Sequence, residues 1–516
     1  MLRVLSHYLP VRKALLVLSE TLILWVVLAL AGTAHLWEPS HELHRALARG
    51  GEPMNVATAS WYGWVNALAL AVLAQLAISF NELYDFRVSL SRYDRARRFV
   101  GSMGSAMAVA LGAVVLADLW QLQPAFDFPG LSMSQKVRTL IFAVLIGFSL
   151  LYSWRTLFHA ALHHAKSYER VLILGSSKAA HVLAKEMREH AAAGYEAVGI
   201  LQEAVADASR PSAGSFDPLS TDTASLVIED LVVGEEGLSS PHGSAGFATL
   251  LELVERERVN EIVVALADRR GKLPTSELLR CRLAGIPVRD YDQVFEQVAG
   301  KISVEALRPS YLIFNEGFAR HPWAALLKGA LDRSLALIMF LILWPVMIAT
   351  AIAVRVTSEG PALFAQERIG RDGRKFILFK FRSMTIDAEK GTGPVWATEN
   401  DPRITPVGRF LRKTRLDELP QLFNVLAGSM SLVGPRPERE VFVDELAEEI
   451  PYFRQRHIVK PGLTGWAQIN YPYGNTVEDA LQKLQYDLFY IKYQSFIFDL
   501  SILFNTVKTI LLRKGT

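Results

Sequence analysis

Long apolar runs near the N-terminus constrain the fold of this chain more than any other feature. A transmembrane helix needs about 20 apolar residues at roughly 1.5 Å each. Four runs approach that length: Ala14–Leu36, Val65–Phe80, Met103–Leu119 and Val137–Phe158. The chain is 51% hydrophobic and 21% charged, which is too apolar for a wholly soluble protein and too charged for an entirely embedded one. The sequence therefore predicts a four-helix transmembrane anchor over residues 1–160, followed by soluble regions.

The charges around these runs predict the orientation of the anchor. Basic residues collect at the N-terminus and between the second and third runs: Arg3, Arg12, Lys13, Arg87, Arg92, Arg95, Arg97 and Arg98. The positive-inside rule places both segments in the cytoplasm, which agrees with an even number of crossings. A cleaved signal peptide ending near Ala31 is the alternative, but the first run is longer than a signal core and three more runs follow it.

The overall charge and the cysteine content exclude other classes of protein. The 55 basic and 52 acidic residues nearly balance, so the chain lacks the basic excess that nucleic-acid binding requires, and no nucleic acid is expected as a partner. Cys281 is the only cysteine, which excludes intrachain disulfides and cysteine-rich zinc or iron–sulfur sites.

Residues 168–300 alternate between strand-like and helix-like segments, which predicts a Rossmann-like α/β module. The strand candidates are Arg170–Leu174, Ala197–Leu201, Leu226–Val233, Glu261–Leu266 and Pro287–Tyr291. The first turn contains Gly175 but lacks the other glycines of a dinucleotide-binding fingerprint. A bound dinucleotide stays open, and a structural or regulatory module is favoured. Ala204–Thr223 is expected to be a flexible loop.

A fifth apolar run, Leu335–Val354, follows a linker over residues 301–333. Its length alone would allow a fifth crossing. Pro345 has no amide hydrogen and should bend the helix, which leaves two arms that each reach about half of a hydrocarbon core. Basic residues flank both ends, so both ends are expected on the cytoplasmic side. The sequence favours a re-entrant helix, with Pro345 as the structural residue at its break.

The polar residues that can carry chemistry lie between positions 360 and 475. Proline is tolerated in the first turn of a helix, so Pro420 predicts a helix from about Asp417 to Leu426. Asp417 and Glu418 would then lie at its positive end, after several cations that include Arg412. Such a site can bind phosphate through a metal ion and keep an aspartate ionised as a nucleophile. Simple capping by two acidic residues is the alternative.

Four motifs occur in order in this region: Lys380–Met384, Asp417–Gln421, Gly434–Pro437 and Lys460–Gln468. As a set they resemble those of the bacterial monotopic phosphoglycosyl transferases, in particular the large forms that initiate exopolysaccharide and O-antigen synthesis. The anchor and the degenerate α/β module are also similar to those forms, and Ser310–Phe314 is similar to their linker strand. One departure is Ser429, where the family often has aspartate in a Gly-Asp-Met-Ser sequence.

The resemblance implies a membrane α plus α/β protein whose catalytic domain, residues 334–516, is monotopic and contains the re-entrant helix. It implies that a hexose 1-phosphate passes from a UDP-sugar to undecaprenyl phosphate with release of UMP. UDP-glucose is favoured and UDP-galactose comes next. It further implies a bacterial inner (cytoplasmic) membrane location with the catalytic domain facing the cytoplasm, and a possible homodimer.

The residue roles also follow from the resemblance. Asp417 is expected to be the nucleophile and a ligand of Mg²⁺, and Glu418 the neighbouring acid. The expected contacts to phosphate or uridine are Lys380, Arg382, Arg412 and Arg436. The alternative function is a membrane-anchored, nucleotide-sensing scaffold or regulator of polysaccharide assembly without catalysis. The C-terminal run Phe496–Leu512 is interpreted as a helix in the membrane interface or, almost equally, as a core helix.

Overall fold

The computed structural model describes residues 2–4, 7–9, 11–34, 56–80, 92–122, 126, 128, 131–164, 169–175, 177–189, 195–201, 250–266, 273–305, 307, 309–314, 316–318, 322–386, 388, 401–471, 474 and 476–511. The chain divides into two compact units: the first consists mainly of the N-terminal helices, and the second contains most residues from Leu172 onward. Two short paired strands stand at the N-terminus, β1 (Leu2–Val4) and β2 (His7–Leu9).

Four long helices form where the apolar runs predict them. They are α1 (Val11–Thr33), α2 (Val56–Phe80), α3 (Arg92–Leu119) and α4 (Met133–His164). Each contains a stretch long and apolar enough to cross a membrane. They share a core of leucine and alanine side chains, and the Trp25 indole N–H of α1 donates to the Trp64 carbonyl of α2 at 2.9 Å.

The α/β module contains a four-stranded sheet with the order β4-β3-β5-β6. Its strands are β3 (Glu169–Leu174), β4 (Tyr195–Leu201), β5 (Glu261–Val264) and β6 (Val288–Asp290). Its helices are α5 (Lys178–Glu189), α6 (Leu250–Arg256), α7 (Thr275–Leu283) and α8 (Tyr291–Ala299). The β5–β6 pair is parallel. Four of the five predicted strands are confirmed; Leu226–Val233 and the predicted loop Ala204–Thr223 lie outside the described residues.

The described residues of the C-terminal region form eight α-helices, several 3₁₀ turns and two small sheets. The helices are α9 (Pro309–Phe314), α10 (Pro322–Thr357), α11 (Pro406–Thr414), α12 (Gln421–Ala427), α13 (Glu440–Glu449), α14 (Trp466–Asn470), α15 (Val477–Tyr493) and α16 (Phe496–Leu511). The strands β7 (Leu363–Ile369) and β8 (Lys375–Phe381) form an antiparallel hairpin. The strands β9 (Ser431–Val433) and β10 (Gly462–Thr464) pair in parallel.

Helix α10 packs against the rest of this region along both of its arms. Before Pro345, Ala336 is buried in a cluster that includes Leu422 of α12. After Pro345, Val354 is buried in a second cluster that includes Leu411 of α11. The opposite side of α10 leaves large apolar side chains exposed: Leu337, Ile338, Leu341, Ile342, Trp344 and Ile348.

Two local predictions were wrong. Ser310–Phe314 forms most of the short helix α9 instead of a strand, because so short an apolar run has no periodicity that separates the two. The Asp417–Glu418 pair precedes α12 instead of starting it, since Leu416–Glu418 is a separate 3₁₀ turn and Pro420 lies at the N-cap of α12.

In α16, Phe498 is buried in the core while Phe496 is exposed, so one face of this helix packs in the core.

Candidate active site

The two acidic residues are held in a tight turn between α11 and α12. Helix α11 is capped by Thr405, whose hydroxyl accepts a hydrogen bond from the Gly408 amide at 2.9 Å. It ends at Arg415, which has a left-handed φ of 59°. That conformation redirects the chain into the 3₁₀ turn, where Asp417 and Glu418 are both buried. Local backbone geometry thus brings two carboxylates into the interior side by side.

Glu418 is surrounded by cations from three parts of the chain. Its Oε1 lies 2.8 Å from Nη2 of Arg436, 3.5 Å from Nζ of Lys380 and 3.6 Å from Nη1 of Arg415. Burial by itself would raise the pKa of Glu418, but Arg436, Lys380 and Arg415 together hold it well below its usual range. Glu418 is therefore ionised at neutral pH, and its charge fixes the positions of these cations.

Asp417 has the opposite electrostatic character. Burial, and then the negative charge of Glu418, raise the pKa of Asp417 to about 6, although Lys380, Arg412 and Arg436 oppose the shift. Its Oδ1 is buried and has no hydrogen-bond partner among the described residues. A buried carboxylate oxygen without a partner is costly, and carboxylate groups in such surroundings are typical of functional sites. Asp417 is thus the less stabilised and more reactive anion of the pair.

Strand β8 is fixed to α12 by one buried amide side chain. Asn424 of α12 accepts a hydrogen bond from the Phe379 amide at 3.1 Å and donates to the Ile377 carbonyl at 2.6 Å. The side chain therefore extends the edge of β8 and fixes the strand against the helix. Lys380 follows Phe379 in the chain, so this tie places its ammonium beside Glu418.

Arg436 is positioned by a buried layer behind it. Its backbone carbonyl accepts a hydrogen bond from Nη2 of Arg456 at 3.2 Å, and the same Nη2 lies 2.8 Å from Oδ2 of Asp487. Burial raises the pKa of Asp487 to about 6. Sequence reasoning assigned no role to Arg456 or Asp487, because nothing in their spacing shows that α15 and the 3₁₀ helix Phe453–Ile458 meet behind residues 434–437.

A small open pocket lies beside the cations of Glu418. It is lined by Arg368, Leu378, Lys380, Gln421, Arg436 and Pro437. Three of these residues are cationic, so the pocket suits an anion. Gln421 and Arg368 were missed as site residues, although Gln421 closes the Asp417–Gln421 motif and offered a signal.

The remaining cations of the sequence prediction are not all brought to the carboxylate pair. Arg412 is near enough to lower the pKa of Asp417, and its Nε donates to the Ser383 hydroxyl at 3.0 Å. The guanidinium of Arg382 instead donates to chain atoms just past α10, including the Ser358 carbonyl at 2.9 Å. None of its contacts reaches Asp417 or Glu418, so its expected substrate contact stays a prediction.

The oxygen atoms of Asp417 fit a divalent cation. Mg²⁺ in phosphate chemistry is commonly held by one or two carboxylates together with substrate phosphates. The partnerless Oδ1 of Asp417 can supply such a ligand. Within the described part of the chain there is no group of three or more His, Cys, Asp or Glu side chains that could hold a metal, so a cation here would depend on substrate oxygens.

Comparisons with known proteins indicate the family of the chain. The bacterial sugar transferase family matches residues 323–513. A UDP-glucose:undecaprenyl-phosphate glucose-1-phosphate transferase from Escherichia coli (strain K12) is 33% identical over 348 residues, which cover 67% of this chain and 68% of the relative. A UDP-N-acetylgalactosamine-undecaprenyl-phosphate N-acetylgalactosaminephosphotransferase from Aeromonas hydrophila is 42% identical, covering 45% of this chain.

A further relative, a UDP-glucose:undecaprenyl-phosphate glucose-1-phosphate transferase from Xanthomonas campestris pv. campestris, is 44% identical over 43% of this chain. The chain spans 54% of the length of the Aeromonas relative and 45% of the Xanthomonas one. The family match at residues 323–513 includes the carboxylate pair.

Proposed function

The chain belongs to the bacterial sugar transferase family, and we propose that it transfers a hexose 1-phosphate from a UDP-sugar to undecaprenyl phosphate with release of UMP. The observation that carries the chemistry is the unequal pair of buried carboxylates. Asp417 has an oxygen without a hydrogen-bond partner among the described residues, and Glu418 is ionised among three cations. UDP-glucose is the proposed donor and UDP-galactose the next, and relatives are named for glucose, galactose and N-acetylgalactosamine transfer.

The first half-reaction uses Asp417 as the nucleophile. A carboxylate oxygen attacks the β-phosphorus of the UDP-sugar, and the bond from that phosphorus to the bridging oxygen breaks. UMP leaves with the bridging oxygen and its electron pair, and the phosphosugar is esterified to Asp417. Burial supports this step because a poorly solvated carboxylate loses little hydration on attack.

The second half-reaction restores the aspartate. A phosphate oxygen of undecaprenyl phosphate attacks the same phosphorus, the bond to Asp417 breaks, and undecaprenyl-diphospho-sugar forms. Lys380 and Arg436 hold phosphate oxygens beside Glu418, where their charges stabilise the negative charge that develops in both transition states. Mg²⁺, when bound with Asp417 as a ligand, would neutralise part of the pyrophosphate charge.

The membrane arrangement follows from the same proposal. Helices α1–α4 cross the bacterial inner membrane, and the catalytic region faces the cytoplasm. Helix α10 is re-entrant, because both of its arms pack against one polar catalytic region while its opposite side is apolar. A straight crossing would carry one arm away from that region. The arrangement holds Asp417 where a cytosolic UDP-sugar and a lipid phosphate can both arrive.

Site-specific labelling tests the course of α10. Leu326 and Val356 are exposed near its two ends, and Cys281, the only native cysteine, is buried. Leu326→Cys and Val356→Cys should both react with an impermeant maleimide in inside-out vesicles and both be protected in right-side-out cells. Reaction of the two positions from opposite sides would show a crossing and reject the re-entrant helix.

The activity is tested by identifying the nucleotide product. Purified chain, undecaprenyl phosphate, Mg²⁺ and separate UDP-glucose, UDP-galactose and UDP-N-acetylgalactosamine should yield UMP with at least one donor. Mass spectrometry of the enzyme mixed with UDP-sugar alone should find a peptide containing Asp417 heavier by one hexose phosphate. Release of UDP would reveal direct glycosyl transfer and reject the covalent scheme. Absence of any turnover with all donors would favour the non-catalytic scaffold.

A further inference from the structure

Two cations meet beside Gly428, at the end of α12 remote from Asp417. Gly428 ends α12 with a left-handed φ of 84°. A Cβ added to it would lie 2.5 Å from Nη2 of Arg333 and 3.7 Å from Nζ of Lys460. A guanidinium of α10 and the ammonium that precedes β10 are therefore close neighbours, although like charges repel. We call Arg333 and Lys460 the Gly428 cation pair.

Neither cation of this pair has a carboxylate partner among the described residues. Arg333 donates from Nη1 to the Gly329 carbonyl at 3.3 Å, within its own helix. The nearest acidic residue acting on Lys460 is Asp332, which already accepts from the Ser431 hydroxyl at 2.7 Å and lies 3.5 Å from Lys328. The pair therefore has a surplus of positive charge.

The direction of the pKa shift of Lys460 agrees with the same surplus of positive charge. Burial lowers the pKa of Lys460 first, and Arg333 lowers it further, while Asp332 opposes the shift. The carbonyls at the end of α12 carry partial negative charge, but two of them, those of Asn424 and Val425, already accept from the Gly428 amide. An anion placed between the two cations would relieve this repulsion.

The residue after Gly428 adds no negative charge that would reduce this surplus of positive charge. Position 429 is serine, and its hydroxyl donates to the Asn424 carbonyl at 3.1 Å. An aspartate at 429 would add a negative charge one residue from Gly428. With serine, the chain itself supplies no negative charge from this position.

The position of Arg333 in α10 indicates which anion is present. Arg333 is the last charged residue of α10 before an uncharged, largely apolar stretch that extends to Val354. If α10 enters the membrane as proposed above, Arg333 lies at the level of the lipid headgroups. We propose that Arg333 and Lys460 bind the phosphate group of an anionic membrane lipid, at a site separate from the catalytic carboxylates. Only the lipid source of the phosphate depends on the proposed function.

The proposal is tested by lipid binding to the full-length chain. The protein in neutral detergent is titrated with short-chain phosphatidylglycerol, with phosphatidylcholine of equal chain length, and with inorganic phosphate, and binding is followed by native mass spectrometry and thermal shift. Phosphatidylglycerol should bind best. Arg333→Gln and Lys460→Gln should each weaken its binding about fivefold, and Ser429→Asp should weaken it at least as much by supplying an internal anion.

A matched control removes a cation elsewhere. Arg454 is exposed and pairs with Asp444 at 2.7 Å, so Arg454→Gln should leave phosphatidylglycerol binding unchanged. Equal losses in Arg454→Gln and Lys460→Gln, or wild-type binding in Ser429→Asp, would overturn the site. Inorganic phosphate binding as tightly as phosphatidylglycerol would overturn the lipid as its occupant. UMP release is measured on the same samples, so failure of the catalytic proposal is seen separately.

Discussion

Two turns in the second compact unit differ in how their polar groups are satisfied. In the α/β module, Gly175 has a φ of 122°, and a Cβ there would lie 2.9 Å from the backbone of Ala265. Ser177 donates its hydroxyl to the Ala265 carbonyl at 2.6 Å. In the turn Leu416–Glu418, the proposed catalytic turn, Asp417 has a buried oxygen without a described partner. In the first turn the serine hydroxyl bonds to the chain itself, whereas in the second a buried carboxylate oxygen has no described partner.

The contrast between these two turns separates sequence signals that indicate a fold from signals that indicate function. A glycine after a buried strand satisfies a local packing need and by itself indicates a fold. A buried carboxylate without compensating partners costs folding free energy, and such groups are typical of functional sites. If this comparison is right, variants of the catalytic turn change chemistry, and variants of the module turn change stability.

Loss of the nucleophile is the largest expected effect. Asp417→Asn removes the attacking oxygen while keeping the side-chain volume, so UMP release should fall by roughly 10⁴-fold or more. Asp444→Asn is the matched control, since Asp444 is a half-exposed surface carboxylate paired with Arg454. Both are compared by initial rates of UMP formation. Equal activity of Asp417→Asn and Asp444→Asn would remove Asp417 from the chemistry.

Glu418, the second carboxylate of the pair, should affect both the rate of UMP release and its pH dependence. Asp417 must be ionised to attack, and burial together with Glu418 raises its pKa to about 6. The kcat/KM for UMP release should therefore fall as the pH drops through about 6. Glu418→Gln removes the like charge, which lowers the pKa of Asp417, so this acid limb should move to lower pH.

The same variant should reduce the maximal rate. Without Glu418, the cations Lys380 and Arg436 lose the anion that fixes them, so kcat should fall by about 10²–10³-fold. Rates of UMP release across pH 4.5–8 separate the two effects. An acid limb that stays in place in Glu418→Gln would assign it to another group.

Arg456 offers a sharper test because it does not reach the carboxylates itself. Lysine is shorter than arginine, so Arg456→Lys should not place its ammonium where Nη2 contacts both Asp487 and the Arg436 carbonyl, and residues 434–437 should lose their fixed position. We expect kcat to fall about 10–100-fold with little change in KM for the UDP-sugar. Arg454→Lys, at an exposed neighbouring position, is the control. A change in melting temperature alone, without the kcat effect, would make Arg456 merely structural.

The sequence predicts more of the catalytic turn than of its support. Asp417, Glu418, Lys380 and Arg436 are found by ordered motifs, and the structure brings them together. Arg382 belongs to the same motif as Lys380, yet its guanidinium donates to the Ser358 carbonyl just past α10. Arg382 lies just beyond the end of β8, so the side-chain alternation of that strand does not determine its direction. The contact of Arg456 with Asp487 joins distant segments, and no local pattern encodes such a pair.

The helices and strands show the same division. The four N-terminal helices and β3 follow from hydrophobic runs, which are local signals. The 3₁₀ turn of Asp417 does not, since it depends on the left-handed Arg415 that separates α11 from α12. The periodicity of apolar residues along the chain does not show a single left-handed residue. The predicted helix therefore began before α12 does.

The smallest expected effect comes from the module turn. Ser177→Ala removes the hydrogen bond to the Ala265 carbonyl and the weaker one that the hydroxyl accepts from the Ala180 amide at 3.3 Å, which together are worth about 1 kcal/mol. The apparent melting temperature should fall by only about 2–4 °C, while kcat and KM for UMP release stay unchanged because the hydroxyl is committed to the fold. Gly175→Ala should lower the melting temperature further, since its Cβ would collide with the Ala265 backbone. A rate loss in Ser177→Ala at unchanged stability would instead show that this turn takes part in the reaction, and the contrast between the two turns would be wrong.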